Sequence, residues 1–241
     1  MEIVPDNDTP TYEGAVPEDE TAINEGGALC EGTAEPQEFT DEELSEVEAA
    51  EGEVGSGEGE IGAADSGAFK VITRIRSANF SRNRQMSAPF GIVLHHTGGS
   101  FQGDLATLTK PASNPKKSVS ANDYITKQGK IYELCPHPRR AWHAGDADHN
   151  GIRDWNTHGY GIEIENRGGA SDPYPQRQID AVVWRCRRIR KKLGINDRNM
   201  FVRHRDICVP RGRKPDTSDG FPFLEVKKRV FAAADPTDDL G

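Results

Sequence analysis

The chain has 241 residues, enough for one large or two small domains, and its formal net charge of −9 averages two unlike parts. Residues 1–69 hold 21 Asp and Glu without a Lys or Arg, while residues 70–241 carry 18 acids and all 30 bases, so a tail of −21 precedes a body of +12. No apolar run approaches a membrane span, the N-terminus lacks the basic and apolar segments of a secretion signal, and four scattered cysteines without a CxxC argue against a disulfide framework.

Residues 1–68 lack the apolar periodicity that offsets chain entropy, and Glu51–Glu60 runs through Glu and Gly, so an acidic disordered tail is expected. Phe39–Val47 offers at most a transient helical turn. Residues 69–241 have the size of one domain with its own core. A basic body implies an anionic partner, whether nucleic acid, a membrane surface or a wall polymer.

Phe69–Ile75 alternates as an edge strand does, and a polar connection through Arg84 leads to Ile92-Val93-Leu94, an uninterrupted apolar run that reads as a buried strand. That strand delivers His95 and His96, which must point to opposite faces. One can ligate a metal while the other packs or hydrogen-bonds behind it; hydrogen-bonded core histidines are the plainer alternative. Asp104–Thr109 reads as a short helix ended by Pro111, and residues 111–118 as a surface loop. Tyr124–Leu134, with Gln128-Gly129 in the turn, reads as a β-hairpin.

Ala141-Trp142-His143-Ala144-Gly145 opens a long polar loop. Within it Asp146, Asp148, Asn150 and Gly151 mimic the first half of a calcium loop, but Thr157 stands where a bidentate Glu is needed, so a polar groove loop is the default reading. The segment from Tyr160 to Glu165 alternates Ile162 and Ile164 with Glu163 and Glu165, placing both carboxylates on one strand face; the plain alternative is a solvated surface. A helix is expected over Pro173–Leu193, capped by Asp172 and stopped by Gly194. Its apolar stripe runs from Ile179 to Leu193, and Arg185, Arg187, Arg188, Arg190, Lys191 and Lys192 read as a solvated face rather than a nucleic-acid surface. Met200–Val202 is a further strand delivering His204, Cys208–Asp216 an irregular basic loop, and Pro222–Ala234 a closing helix. The expected fold is α/β, a single domain with a central mixed β-sheet flanked by helices.

His95, His204 and Asp216 together supply two imidazoles and one carboxylate. Such a set suits catalytic zinc, because three protein ligands leave the fourth tetrahedral position open. At these residues the chain resembles the type 2 zinc N-acetylmuramoyl-L-alanine amidases, whose fold is shared by peptidoglycan recognition proteins and amidase-type bacteriophage lysozymes. The resemblance covers about residues 88–230. It rests on Ile92–Thr97, Gly129–Leu134, Ala141–Gly145, Gly161-Ile162-Glu163, and His204 followed by Gly212–Asp216.

The resemblance implies that His95, His204 and Asp216 hold zinc, that Glu163 activates water, and that Lys214 sits near the scissile carbonyl. It places Trp142, His143 and His96 against the substrate. Cys208 is an alternative third ligand, and Asn122-Asp123 replaces the His-Tyr pair of many relatives. The implied reaction is hydrolysis of the amide between N-acetylmuramic acid and L-alanine in bacterial peptidoglycan, most like that of a bacteriophage endolysin. A cytosolic muropeptide-recycling amidase and a non-catalytic peptidoglycan-binding protein are the rivals. The expected enzyme is a monomer without nucleic-acid partner or membrane span, made in the cytoplasm and acting at the cell wall.

Overall fold

The computed structural model describes residues 69–232. The expected acidic tail, its helical turn at Phe39–Val47 and Cys30 lie outside the described residues, as do residues 233–241. The histidine strand, β3 (Gly91–His96), lies between two other strands and packs Ile92 and Leu94 into one apolar cluster and Val93 into another, so its central residues are fully buried. Burial on both faces is what a continuous apolar run encodes. Its partners are β9 (Gly159–Ile164) and β10 (Phe201–Arg203), both parallel to it. Beyond β9 come β4 (Asp123–Ile125), β5 (Ile131–Glu133) and β1 (Val71–Ile72), giving the order β1-β5-β4-β9-β3-β10. Only the β4–β5 hairpin is antiparallel, so the sheet is mixed. Gly129 turns that hairpin at φ +76°. β1 is shorter than the seven-residue edge strand expected, because β5 offers only three residues to pair with.

One face of the sheet is covered by α3 (Gln176–Leu193) and α5 (Phe223–Val230), which pack Ile179, Val182, Cys186, Ile189 and Val226 against Ile92, Leu94, Ile162, Ile164 and Phe201. Gly194 stops α3 at φ +69°, as expected. The start differs: Asp172 does not cap the helix, because its carboxylate accepts from Arg167 N at 2.7 Å and Lys127 Nζ at 2.5 Å, and α3 begins at Gln176. Arg185 also departs from the solvated face assigned to it. It is buried and donates to both carboxylate oxygens of Asp123, at 2.7 and 3.0 Å. The closing helix is shorter than expected, Phe223–Val230.

The other face carries two apolar clusters. α1 (Phe101–Thr109) sets Phe101, Leu105 and Leu108 against Tyr124 and Tyr132, while Trp155, Ala144, Ala147 and Ile207 cover Val93 and Val202. The polar loop folds into a small ribbon of β7 (Asp148–His149) and β8 (Ile152–Arg153), turned by Asn150 at φ 55° and Gly151 at φ 79°, the pair of positive angles a two-residue hairpin turn needs. Asp148 there accepts from Gly151 N, and Asp154 pairs with Arg140 at 2.6 Å, so these carboxylates fasten the ribbon instead of gathering around a cation. A separate antiparallel pair joins β2 (Phe80–Ser81) to β6 (Arg140–Ala141), and a short helix, α2 (Trp155–His158), leads into β9. Among the described residues no helix is long and apolar enough to cross a membrane.

Candidate metal centre and active site

Registration sets the site. Tyr124 pairs with Glu163 and Glu163 with His95 across β4, β9 and β3, and the residue that follows β10 is His204, so a row of side chains forms at the carboxyl ends of parallel strands. Crevices at such strand ends are where α/β sheets bind ligands. His204 opens the one-turn helix α4 (His204–Ile207), and Arg205 N, donating to Asp216 O at 2.6 Å, draws the basic loop back over it.

His95 Nδ1 lies 3.0 Å from His204 Nδ1 and 3.1 Å from Asp216 Oδ2, and His204 Nδ1 lies 2.9 Å from the same oxygen. All three residues are buried, at 1, 3 and 6% exposure. Their ligand-type atoms fall within 4.8 Å of one another. Two buried imidazole nitrogens facing each other and one carboxylate oxygen are an unfavourable grouping without a proton or cation between them, and the two-nitrogen, one-oxygen set fits zinc. Burial, then the neighbouring His204, push the pKa of His95 down to about 4, favouring the neutral ring that a metal takes. Burial alone would raise Asp216, but hydrogen bonds with His204 and His95 hold its carboxyl well below the usual range. Cys208, the alternative ligand, turns its Sγ to the carbonyls of Arg205 and Pro210, outside this group.

Glu163 is half-buried beside the group, with its Oε2 enclosed and without a hydrogen-bond partner. Burial first, then the charges of Asp216 and Asp104, push its pKa well above the ordinary carboxylate value, opposed by the Lys214 ammonium. The same ammonium, carried two residues before Asp216, also lowers the pKa of His95. Glu165, expected to share Glu163's setting, lies past the end of β9 and accepts from Lys127 N at 2.8 Å, fastening the hairpin. Asp104 was not foreseen. It accepts from Tyr124 Oη at 3.2 Å and fills the space a side chain on Gly99 would need, and the adjacent Gly98-Gly99 is its one visible mark in the sequence.

Of the three residues expected at the substrate, His143 and His96 make their contacts within the protein. His143, 8% exposed, puts Nδ1 3.0 Å from His95 Nε2, on the far side of that ring from Asp216 and His204. Gly161 admits it: a Cβ there would come 2.4 Å from His143 Cγ. His96 points to the opposite face, where Nδ1 accepts from Ser218 N at 3.1 Å and meets Tyr174 Oη at 3.2 Å, so it anchors the loop that carries Asp216. Trp142 is half-buried, with Nε1 donating to Ser81 Oγ at 3.0 Å.

A family model described as N-acetylmuramoyl-L-alanine amidase matches residues 85–219. The N-acetylmuramoyl-L-alanine amidase AmiD of Escherichia coli is 30% identical over 150 residues, covering 59% of this chain and 53% of AmiD, so the chain spans about half the length of that relative. The 1,6-anhydro-N-acetylmuramyl-L-alanine amidase AmpD of Haemophilus influenzae is 26% identical over 165 residues, covering 63 and 89%. The solved structure of E. coli AmiD with the substrate anhydro-N-acetylmuramic acid-L-Ala-D-γ-Glu-L-Lys superposes with a TM-score of 0.52 at 29% identity, over 63% of this chain and 62% of that one. A selenomethionine AmpD structure, at TM-score 0.56 and 22% identity over 69 and 98%, matches in fold.

Proposed function

The chain belongs to the N-acetylmuramoyl-L-alanine amidase family, and from that premise we propose that residues 69–241 form a zinc-dependent hydrolase of the amide between N-acetylmuramic acid and L-alanine in peptidoglycan. The observation that carries this reading is the convergence of His95, His204 and Asp216 beside the unpartnered carboxylate of Glu163. Zinc held there supplies a Lewis acid that makes water nucleophilic near neutral pH and polarises a carbonyl. Glu163 takes the proton of the attacking water as the new C–O bond forms, and returns it to the L-alanine nitrogen as the C–N bond breaks. Its raised proton affinity suits it to hold that proton between the two steps. The Lys214 ammonium stabilises the oxyanion of the tetrahedral intermediate, and Trp142 offers a ring edge to the substrate groove.

The lysin reading takes intact wall as the substrate of a monomeric enzyme. The likeness to AmiD and AmpD favours a second, soluble 1,6-anhydro-muropeptides of the kind handled in recycling. New L-alanine amino termini are to be measured from purified sacculi and from anhydro-muropeptide in parallel, with zinc content determined on the same sample. Release from sacculi is expected for a lysin and release from the soluble fragment alone for a recycling enzyme. Release from neither would leave only a binding protein.

A further inference from the structure

We propose that Asn156, in the single turn of α2, is a positioning residue that sets both histidine ligands through one short strip of backbone, His143-Ala144; the inference rests on the zinc reading above. Asn156 Oδ1 accepts from His143 N at 2.8 Å and from Ala144 N at 2.7 Å, filling both lone pairs of one amide oxygen. Two arms leave that strip. The His143 ring reaches His95 Nε2 at 3.0 Å, and the Ala144 carbonyl reaches His204 Nε2 at 2.9 Å.

A carbonyl only accepts, so His204 Nε2 carries a hydrogen and its Nδ1 is turned to Asp216. For His95 Nδ1 to offer a lone pair to a metal, its Nε2 must donate to His143 Nδ1. One short strip of backbone therefore decides which nitrogen of each imidazole faces the centre, the usual work of groups behind metal-bound histidines. Asn156 is itself fixed, because its carbonyl accepts from Arg84 Nη1 at 3.0 Å while Arg84 Nε and Nη2 bind the carbonyls of His137 and Arg139. Displacing Asn156 Oδ1 frees two N–H groups at once and moves both arms together.

The test compares the full-length protein with Asn156→Leu, which cannot accept, and Asn156→Asp, which can. Zinc affinity is measured by competition with a chromophoric chelator, and the ring tautomers of His95 and His204 are read by nitrogen NMR in the metal-free protein. Asn156→Leu is expected to weaken zinc binding by about 10–100-fold and to mix the tautomers, while Asn156→Asp stays close to wild type. A loss of general stability alone would not change which ring nitrogen carries hydrogen. If Asn156→Leu does not fold, Asn156→Gln, which carries the same oxygen one methylene too far, is read in the same way. Unchanged affinity and tautomers in the non-accepting variant would overturn the inference, as would an equal loss in Asn156→Asp. Failure of the wild type to bind zinc would overturn the zinc reading itself and this inference with it.

Discussion

At the scale of single residues, Glu163 and Gly161 make separable demands on the same strand. Glu163→Gln keeps the shape of the side chain but cannot take a proton, so zinc content is expected to hold while turnover falls by roughly 10²-fold or more. Retained turnover in a zinc-loaded variant would move the proton-carrying role elsewhere. Gly161→Ala acts on the metal side: its methyl would meet the His143 ring at 2.4 Å, so that ring must shift away from His95. The expected result is weaker zinc binding and about 1–3 kcal/mol less stability, read by chelator competition and urea unfolding. The grouping of His95, His204 and Asp216 was legible because each histidine follows an apolar strand and Asp216 lies in a recognisable Lys-Pro-Asp run. The supporting residues were not. Asn156 and Asp104 are lone polar residues whose importance comes from contacts with sequence-distant groups. His143 was recognised in its motif, but its contact with His95 Nε2 was not, since a motif does not say which ring nitrogen meets which neighbour.

At the scale of elements, α3 holds the covered face through one buried ion pair as well as its apolar stripe. Arg185 read as one cation among six on a basic helix, and periodicity alone could not separate it from its solvated neighbours. Its place over β4 sets it on Asp123, with Glu133 and Tyr160 Oη each a further 3.1 Å contact. Arg185→Leu would strand the Asp123 carboxylate in the core, at a cost of about 3–5 kcal/mol. Equilibrium unfolding measures this, and the double variant Arg185→Leu/Asp123→Leu is expected to recover much of the loss, because apolar replacement of both partners leaves no charge unpaired. A double variant no better than the single one would place the cost in side-chain packing instead. The ends of α3 show the same limit of sequence reading: Gly194 was legible from its backbone freedom, whereas Asp172 was diverted by Lys127, a residue 45 positions earlier.

At the scale of the whole chain, the mixed α/β sheet was legible from the alternation of strands and helices, while its strand order was not, because β9 inserts between β4 and β3 through pairings that no local pattern encodes. What the sequence states outright is the division of charge. With residues 1–65 present the chain carries −9, and without them the remaining residues carry +12, so removal reverses the sign of the long-range field. The buried clusters that build the described fold draw on Ile75 to Phe231, and the family match covers residues 85–219, so a chain beginning at Ser66 is expected to fold and to take up zinc as the full chain does. Toward anionic sacculi it should bind more tightly than the full chain at low salt. The gap should narrow as ionic strength rises, since screening reaches about 8 Å near physiological salt and shortens further above it. Sedimentation of both chains with purified sacculi over a salt series measures this directly. Equal binding at low salt would show that net charge does not govern adsorption, and a gap that survives high salt would show that residues 1–65 act through something other than their charge.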